Sequence, residues 1–327
     1  MTAFSFQKTL LAGTLLALCA GAQANVVTSV KPLSFIASSI AEGVTEVETI
    51  VPPGASPHDY NLKPSDVQKI KSADLLLWIG KDVDGFLEKS IHQIDHGKVI
   101  EIAEIDSVTP LLTKSAHHHH DHEDHHEHEH SHAHKHGPHD IHDDDEHEHD
   151  EDENGLSVNW HVWYSPQISR IVASEVAEKL TAQYPDKKAQ IEQNLQNFDR
   201  TLQLQSEKIR TQLAAVKDRG FYVFHDAYGY FNQAYGLNQI GAFTINPLVA
   251  PGAKTLATIK AEIAEHKVSC LFAEPQFTPK VIESLSKGTE VKIGRLDPMG
   301  ESVKLSKNAY TDFLQATADS YFHCLNK

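Results

Sequence analysis

Histidine is the residue type that stands out for chemistry. The chain carries 23 of them against three cysteines, and they fall into two populations. Sixteen lie between His117 and Glu153, interleaved with aspartate and glutamate. The densest part comprises His117, His118, His119, His120, His122, His125, His126, His128, His130, His132, His134 and His136. A neutral imidazole is a ready ligand for zinc and related transition metals. Crowded together they bind divalent cations, each site modestly because nothing holds the geometry. The surrounding negative charge raises the local cation concentration. This stretch is expected to be an accessory, metal-gathering loop.

The other seven are His58, His92, His96, His161, His225, His266 and His323. A histidine in a folded domain is more often a hydrogen-bonded polar residue than a ligand. His92, His96, His266 and His323 lie in helical or charged surroundings and are read that way. The remaining three share a context. His58 sits in Pro52-Pro53-Gly54-Ala55-Ser56-Pro57-His58-Asp59, just after an apolar run. His161 lies in Asn159-Trp160-His161-Val162-Trp163 before a helix, and His225 directly follows Phe221-Tyr222-Val223-Phe224. Zinc takes nitrogen, sulfur or oxygen donors in a roughly tetrahedral array. In open α/β sheets, ligands bind at the loops beyond strand ends. Aromatic neighbours such as Trp163 and Tyr228 could form a dry wall around such a centre.

The elements that must hold these residues alternate. Val26–Val30, Val47–Val51, Leu75–Ile79 and Val99–Ile102 read as short apolar strands, with a helix over Leu33–Ala41 and another opened by a Ser65/Gln68 capping box. From His117 to Glu153 too little apolar surface is present to offset chain entropy, which predicts a disordered loop. Ser165-Pro166 then opens a helix. Beyond Pro185, apolar residues from Ile191 to Val216 keep helical spacing until Gly220. A helix over 186–217 would be about 45–50 Å long; it reads as a connector between lobes, with a local coiled coil as the rival. Strands at Phe221–Phe224, Val268–Ala273 and Val291–Leu296 follow, with helices at Tyr228–Tyr235, Thr255–His266 and around Cys324. The expected fold is therefore α/β: a lobe at 25–185, a long helix at 186–219 and a second lobe at 220–327, the sheets largely parallel.

The formal charge of −16 belongs to one segment. Residues 121–153 hold 15 acidic side chains and one basic, leaving 30 acidic and 28 basic elsewhere. No surface is basic enough for nucleic acid. Residues 1–24 read as an export signal: Lys8, an apolar run from Leu10 to Ala20, and small residues at Ala22-Gln23-Ala24. Cleavage after Ala24 is preferred to lipidation at Cys19, which follows the bulky Leu18. That leaves Cys270 and Cys324, which in an oxidising compartment most simply form one disulfide, pinning the last helix to a sheet for about 2–4 kcal/mol.

Pro52–Tyr60, Asn159–Pro166 and Phe224–Phe231, extended by Phe272-Ala273-Glu274-Pro275-Gln276-Phe277 and Leu296-Asp297-Pro298-Met299-Gly300, resemble the metal-binding solute receptors of ABC importers. The similarity spans the mature chain and is strongest to the zinc branch, the ZnuA-type receptors. It implies two α/β lobes joined by a long helix, with metal in the cleft between them on His58, His161 and His225. The manganese branch has a carboxylate where His225 stands, so a third imidazole favours zinc. Some zinc receptors carry a glutamate just before the first histidine; here that residue is Pro57. The fourth position is then left to Asp297, water, or a donor from the acidic loop, with Asp297 preferred.

The resemblance implies a periplasmic zinc receptor, not an enzyme, serving the membrane permease of an ABC importer with its ATPase on the cytoplasmic side, and acting as a monomer. Two other classes remain. Storage would use the histidine-rich loop alone; a zinc hydrolase would need a base such as Glu274. An all-histidine core also predicts weaker binding below about pH 6.

Overall fold

The structure, a computed structural model, describes residues 25–114, 158–244, 247–248, 250–276 and 280–326. The signal segment and the whole histidine-rich loop lie outside the described residues.

Two four-stranded parallel sheets share one topology. The first runs β2-β1-β3-β4, built from β1 (Asn25–Thr28), β2 (Glu46–Thr49), β3 (Leu75–Trp78) and β4 (Val99–Glu101). Its connections carry α1 (Lys31–Ala41), α2 (Pro64–Ser72) and the short α3 (Lys81–Asp84) and α4 (Glu88–Ile91). The chain then passes through α5 (Pro166–Gln183) and α6 (Lys188–Leu213). The second sheet runs β6-β5-β7-β8, from β5 (Phe221–His225), β6 (Gln239–Thr244), β7 (Cys270–Ala273) and β8 (Lys292–Arg295). Its helices are α7 (Gly229–Tyr235), α8 (Ala253–Ala264), α9 (Lys280–Ser286) and α10 (Ala309–Leu325). Central strands are apolar along their length, as β3 and β7 show with every residue buried, whereas edge strands β2 and β8 carry charges outward.

The strand order puts a topological switch in each sheet, between β1 and β3 and between β5 and β7. Crevices open there, at the carboxyl ends of the strands.

Several expectations need adjusting. The long helix runs 26 residues, about 39 Å at 1.5 Å per residue, after a 3-10 turn at Pro185–Lys187. It stops at Leu213; Val216 is still buried, but from the following turns. Asn194, on its buried stripe, donates to the carbonyls of Ile40 and Glu42 at the end of α1, both at 2.8 Å. Helix α2 opens at Pro64, earlier than the Ser65/Gln68 pattern suggested. Asp66 accepts the Lys63 N–H at 2.9 Å, so the acidic residue at the third position closes the cap. Ser165 caps α5 as expected, accepting the Ile168 N–H at 3.2 Å.

The lobes share one hydrophobic core. Leu33 and Phe35 of α1, Phe198 and Leu202 of α6, and Phe272, Phe313 and Tyr321 of the second lobe belong to it. The last helix returns to the first lobe, where Phe313 lies 5.4 Å from Phe35 and stacks on Tyr164 at 5.1 Å. Cys270 in β7 is bonded to Cys324 in α10 across 54 residues, a closure worth about 4 kcal/mol on the chain-entropy account. Gly294 permits that approach, because a Cβ there would lie 2.5 Å from the Phe272 ring and 2.9 Å from Cys324 Sγ.

Candidate metal centre

His225 is the last residue of β5, and Glu274 directly follows β7, the neighbouring strand across the switch. Adjacent strand ends therefore deliver an imidazole and a carboxylate to one place. Glu274 Oε2 lies 2.7 Å from His225 Nδ1 and Oε1 2.8 Å, and the Tyr228 hydroxyl donates to Oε1 at 3.2 Å. A carboxylate only accepts here, so Nδ1 carries a proton, and in the neutral ring Nε2 keeps its lone pair.

His161 precedes a 3-10 turn, Val162–Tyr164, that leads into α5. Asn159 Oδ1 accepts both the His161 backbone N–H, at 3.1 Å, and the ring Nδ1–H, at 2.8 Å, while Asn159 Nδ2 donates to the Asp226 carbonyl at 2.8 Å. The Asp226 contact fixes which end of the amide is which. His161 Nδ1 is thereby a donor and its Nε2 a lone pair.

The two Nε2 atoms stand 3.2 Å apart. Both are acceptors, so they repel unless something positive lies between them. Burial, with His225 and His58 close by, drives the His161 pKa well below the ordinary value, so His161 Nε2 is kept as a lone pair. A cation resolves the conflict. Zinc–nitrogen bonds of about 2.0–2.1 Å in a tetrahedral array place two nitrogens about 3.3 Å apart.

His58 completes the group from the first lobe. It sits on the 3-10 turn Pro57–Asp59 after β2, where Ser56 Oγ accepts its backbone N–H at 3.3 Å. One ligand atom from each of His58, His161 and His225 lies within 4.8 Å of the others, the only such group among the described residues. Burial first, then the neighbouring His225, lowers the His58 pKa to about 4. The pocket they line with Ser56, Pro57, Trp163, Gln276, Pro298 and Met299 offers about 10 Å³, room for one ion or water and not for an organic substrate.

A profile described as "ZnuA: Zinc-uptake complex component A periplasmic" matches residues 26–324. The chain belongs to that family. It is 70% identical over 317 residues to the high-affinity zinc uptake system protein ZnuA of Haemophilus influenzae, covering 94% of each chain. It is 55% identical over 324 residues to the protein of the same name from Haemophilus ducreyi, covering 98% of this chain and 100% of that one. A crystal structure of ZnuA shares its fold with a TM-score of 0.70 at 21% identity, over 93% of this chain and 99% of the other.

Within this family's fold, Asp297 stands apart from the three imidazoles. Its Oδ1 accepts from the N–H groups of Met299 and Gly300, both at 3.0 Å, and its Oδ2 from Glu301 N–H at 2.6 Å. The carboxylate builds a turn. Gly300 occupies that turn at φ +61°, where a Cβ would lie 2.7 Å from both Phe313 and Phe35. His92, His96, His266 and His323 are exposed and scattered. The twelve histidines assigned to the accessory loop lie outside the described residues. Glu274, weighed as a hydrolytic base, instead faces His225 Nδ1 and Tyr228. Asn159 had no assigned role, although its place two residues before His161 was a signal.

Proposed function

We propose that the chain captures a zinc ion between His58, His161 and His225 in the inter-lobe cleft and hands it to the membrane permease of an ABC importer. The observation that carries this reading is the convergence of the His161 and His225 Nε2 atoms at 3.2 Å, each ring fixed by a partner on Nδ1, with a His58 nitrogen within reach of both. Three neutral nitrogens form a borderline donor set that suits zinc better than a hard cation. The family to which the chain belongs is the periplasmic component of zinc-uptake complexes, which supplies the direction of traffic. Competition titration of the full chain with a zinc chelator tests the site. Substituting His58 and His225 together by alanine should abolish the tightest site; an unchanged tightest site would move the function to storage by the histidine-rich loop.

The remaining parts of the reading follow from it. The chain acts as a receptor and not as a catalyst, because the Glu274 carboxylate is committed to orienting His225 and the pocket admits one small particle; we take it to work as a monomer. No helix among the described residues is long and apolar enough to cross a membrane. Residues 1–24 direct export and are removed, so intact mass should place the mature start at Asn25. The accessory loop raises zinc near the cleft: deleting residues 117–153 should lower the number of weak sites and slow uptake when zinc is scarce. Uptake unchanged under scarcity would remove that role.

A further inference from the structure

Besides Ser56, which accepts the His58 N–H, the pocket between the imidazoles has a polar wall residue in Gln276, two positions beyond Glu274. Its Nε2 donates to Glu301 Oε1 at 2.9 Å, and a carboxylate can only accept, so the amide's orientation is set. Its Oε1 is buried and has no hydrogen-bond partner among the described residues. A buried acceptor left unpaired is disfavoured and calls for a donor that arrives with the occupant.

The anchor of this amide also joins the lobes. The same Glu301 Oε1 accepts the Gly54 N–H at 2.8 Å, in the loop that leads to His58, and the Glu301 carbonyl accepts from Lys31 Nζ at 2.7 Å. Gln276 is therefore held from the second lobe by a residue that the first lobe grips at two points.

We propose that Gln276 positions the fourth ligand of the centre: its Oε1 accepts a hydrogen bond from a water bound to the cation. This rests on the reading of the three imidazoles as the zinc site. Zinc in proteins takes nitrogen, sulfur and carboxylate oxygen, and a neutral amide oxygen is a poor direct ligand for it. Water on zinc is a stronger proton donor than bulk water, which suits it to a waiting acceptor. With Asp297 occupied by its turn and Pro57 lacking a donor, no carboxylate among the described residues joins the three imidazoles.

The test uses the full chain, zinc chloride and a chromophoric chelator. Gln276→Met keeps the volume and removes the acceptor; zinc affinity should fall about 10–100-fold, the usual cost of losing a partner of a metal-bound group. The Tm of the metal-free protein should stay unchanged, the zinc-induced rise in Tm should shrink, and the visible d–d absorption of the cobalt(II)-loaded protein should shift. Affinity of Gln276→Met within twofold of the parent would overturn the proposal. So would a lower metal-free Tm with an unchanged zinc-induced rise, which would mark a structural role. His225→Ala, run alongside, separates the two readings: zinc loss there with none in Gln276→Met removes only the glutamine's role, whereas normal binding in both removes the site itself.

Discussion

Two of the three imidazoles are held and one is not. His161 and His225 are 8% and 2% exposed, and each has its Nδ1 engaged by a buried partner, Asn159 or Glu274. His58 is half-buried on a single 3-10 turn; its backbone N–H donates to Ser56, and its ring contacts are with the other two imidazoles. The fixed pair is a preorganised half-site whose ligand geometry costs little at the moment of binding. His58 pays its ordering cost when the ion arrives. A receptor that must also release its cargo benefits from one ligand that can leave first.

The largest effect should come from breaking the held half. His225→Ala removes a ligand and strands the Glu274 carboxylate, whose side chain is fully buried. Affinity should drop by more than the 100-fold typical of an outer partner. The metal-free fold should lose about 1–3 kcal/mol in chemical denaturation, the cost of a buried carboxylate that loses one donor while Tyr228 still donates to it. His58→Ala removes a ligand too, but strands nothing. Its metal-free stability should be unchanged within about 0.5 kcal/mol, and its loss of affinity should appear mainly as faster zinc release in stopped-flow chelation. Equal destabilisation by both variants would erase the distinction between the halves.

A smaller effect should follow from loosening a held ring without removing it. Glu274→Gln keeps an acceptor for Nδ1–H but loses the charge, and Asn159→Ala loses both the His161 contacts and the Asp226 contact. Each should weaken zinc binding about 10–100-fold, Asn159→Ala more than Glu274→Gln. If neither moves the affinity beyond threefold, the outer partners do not set the geometry.

The division between held and free ligands also explains what could be read beforehand. The three imidazoles were legible because each lies at a strand exit or helix start within a distinctive motif, and the parallel sheets were legible from apolar runs such as Leu75–Trp78. Their partners were not. Glu274 follows an apolar strand as many carboxylates do, and only the strand order, with β7 beside β5, turns it toward His225. Asp-Pro-Met-Gly suits a ligand and a turn-builder equally, and nothing in the sequence announces the three backbone N–H groups that the Asp297 carboxylate accepts. Strand β6 escaped notice because Gly241 interrupts an edge strand that is only partly buried. The end of α6 was overrun because Val216 keeps apolar spacing through a turn; periodicity records burial, not backbone hydrogen bonding.

The smallest effect concerns protons. An exposed three-imidazole centre would begin to lose zinc near the ordinary histidine pKa of about 6.5. Here burial and the adjacent imidazole lower His58 to about 4, and burial lowers His161 further below its usual value. Protons therefore compete poorly for these two nitrogens, and zinc loss should begin below the onset near pH 6 expected from composition alone. The same shift has a stability sign. A depressed folded-state pKa means the unfolded chain binds more protons in the window from about 6.5 down to 4, so stability is fully present above that window and lost as pH falls through it. The metal-free Tm should fall across this range by several degrees, at about 2–4 °C per kcal/mol for a chain of this class. His58→Ala should flatten part of that slope and leave the part due to His161. A slope identical in parent and variant would show that the free imidazole is solvated in the metal-free protein, and the two halves of the centre would then differ in burial as well as in hydrogen bonding.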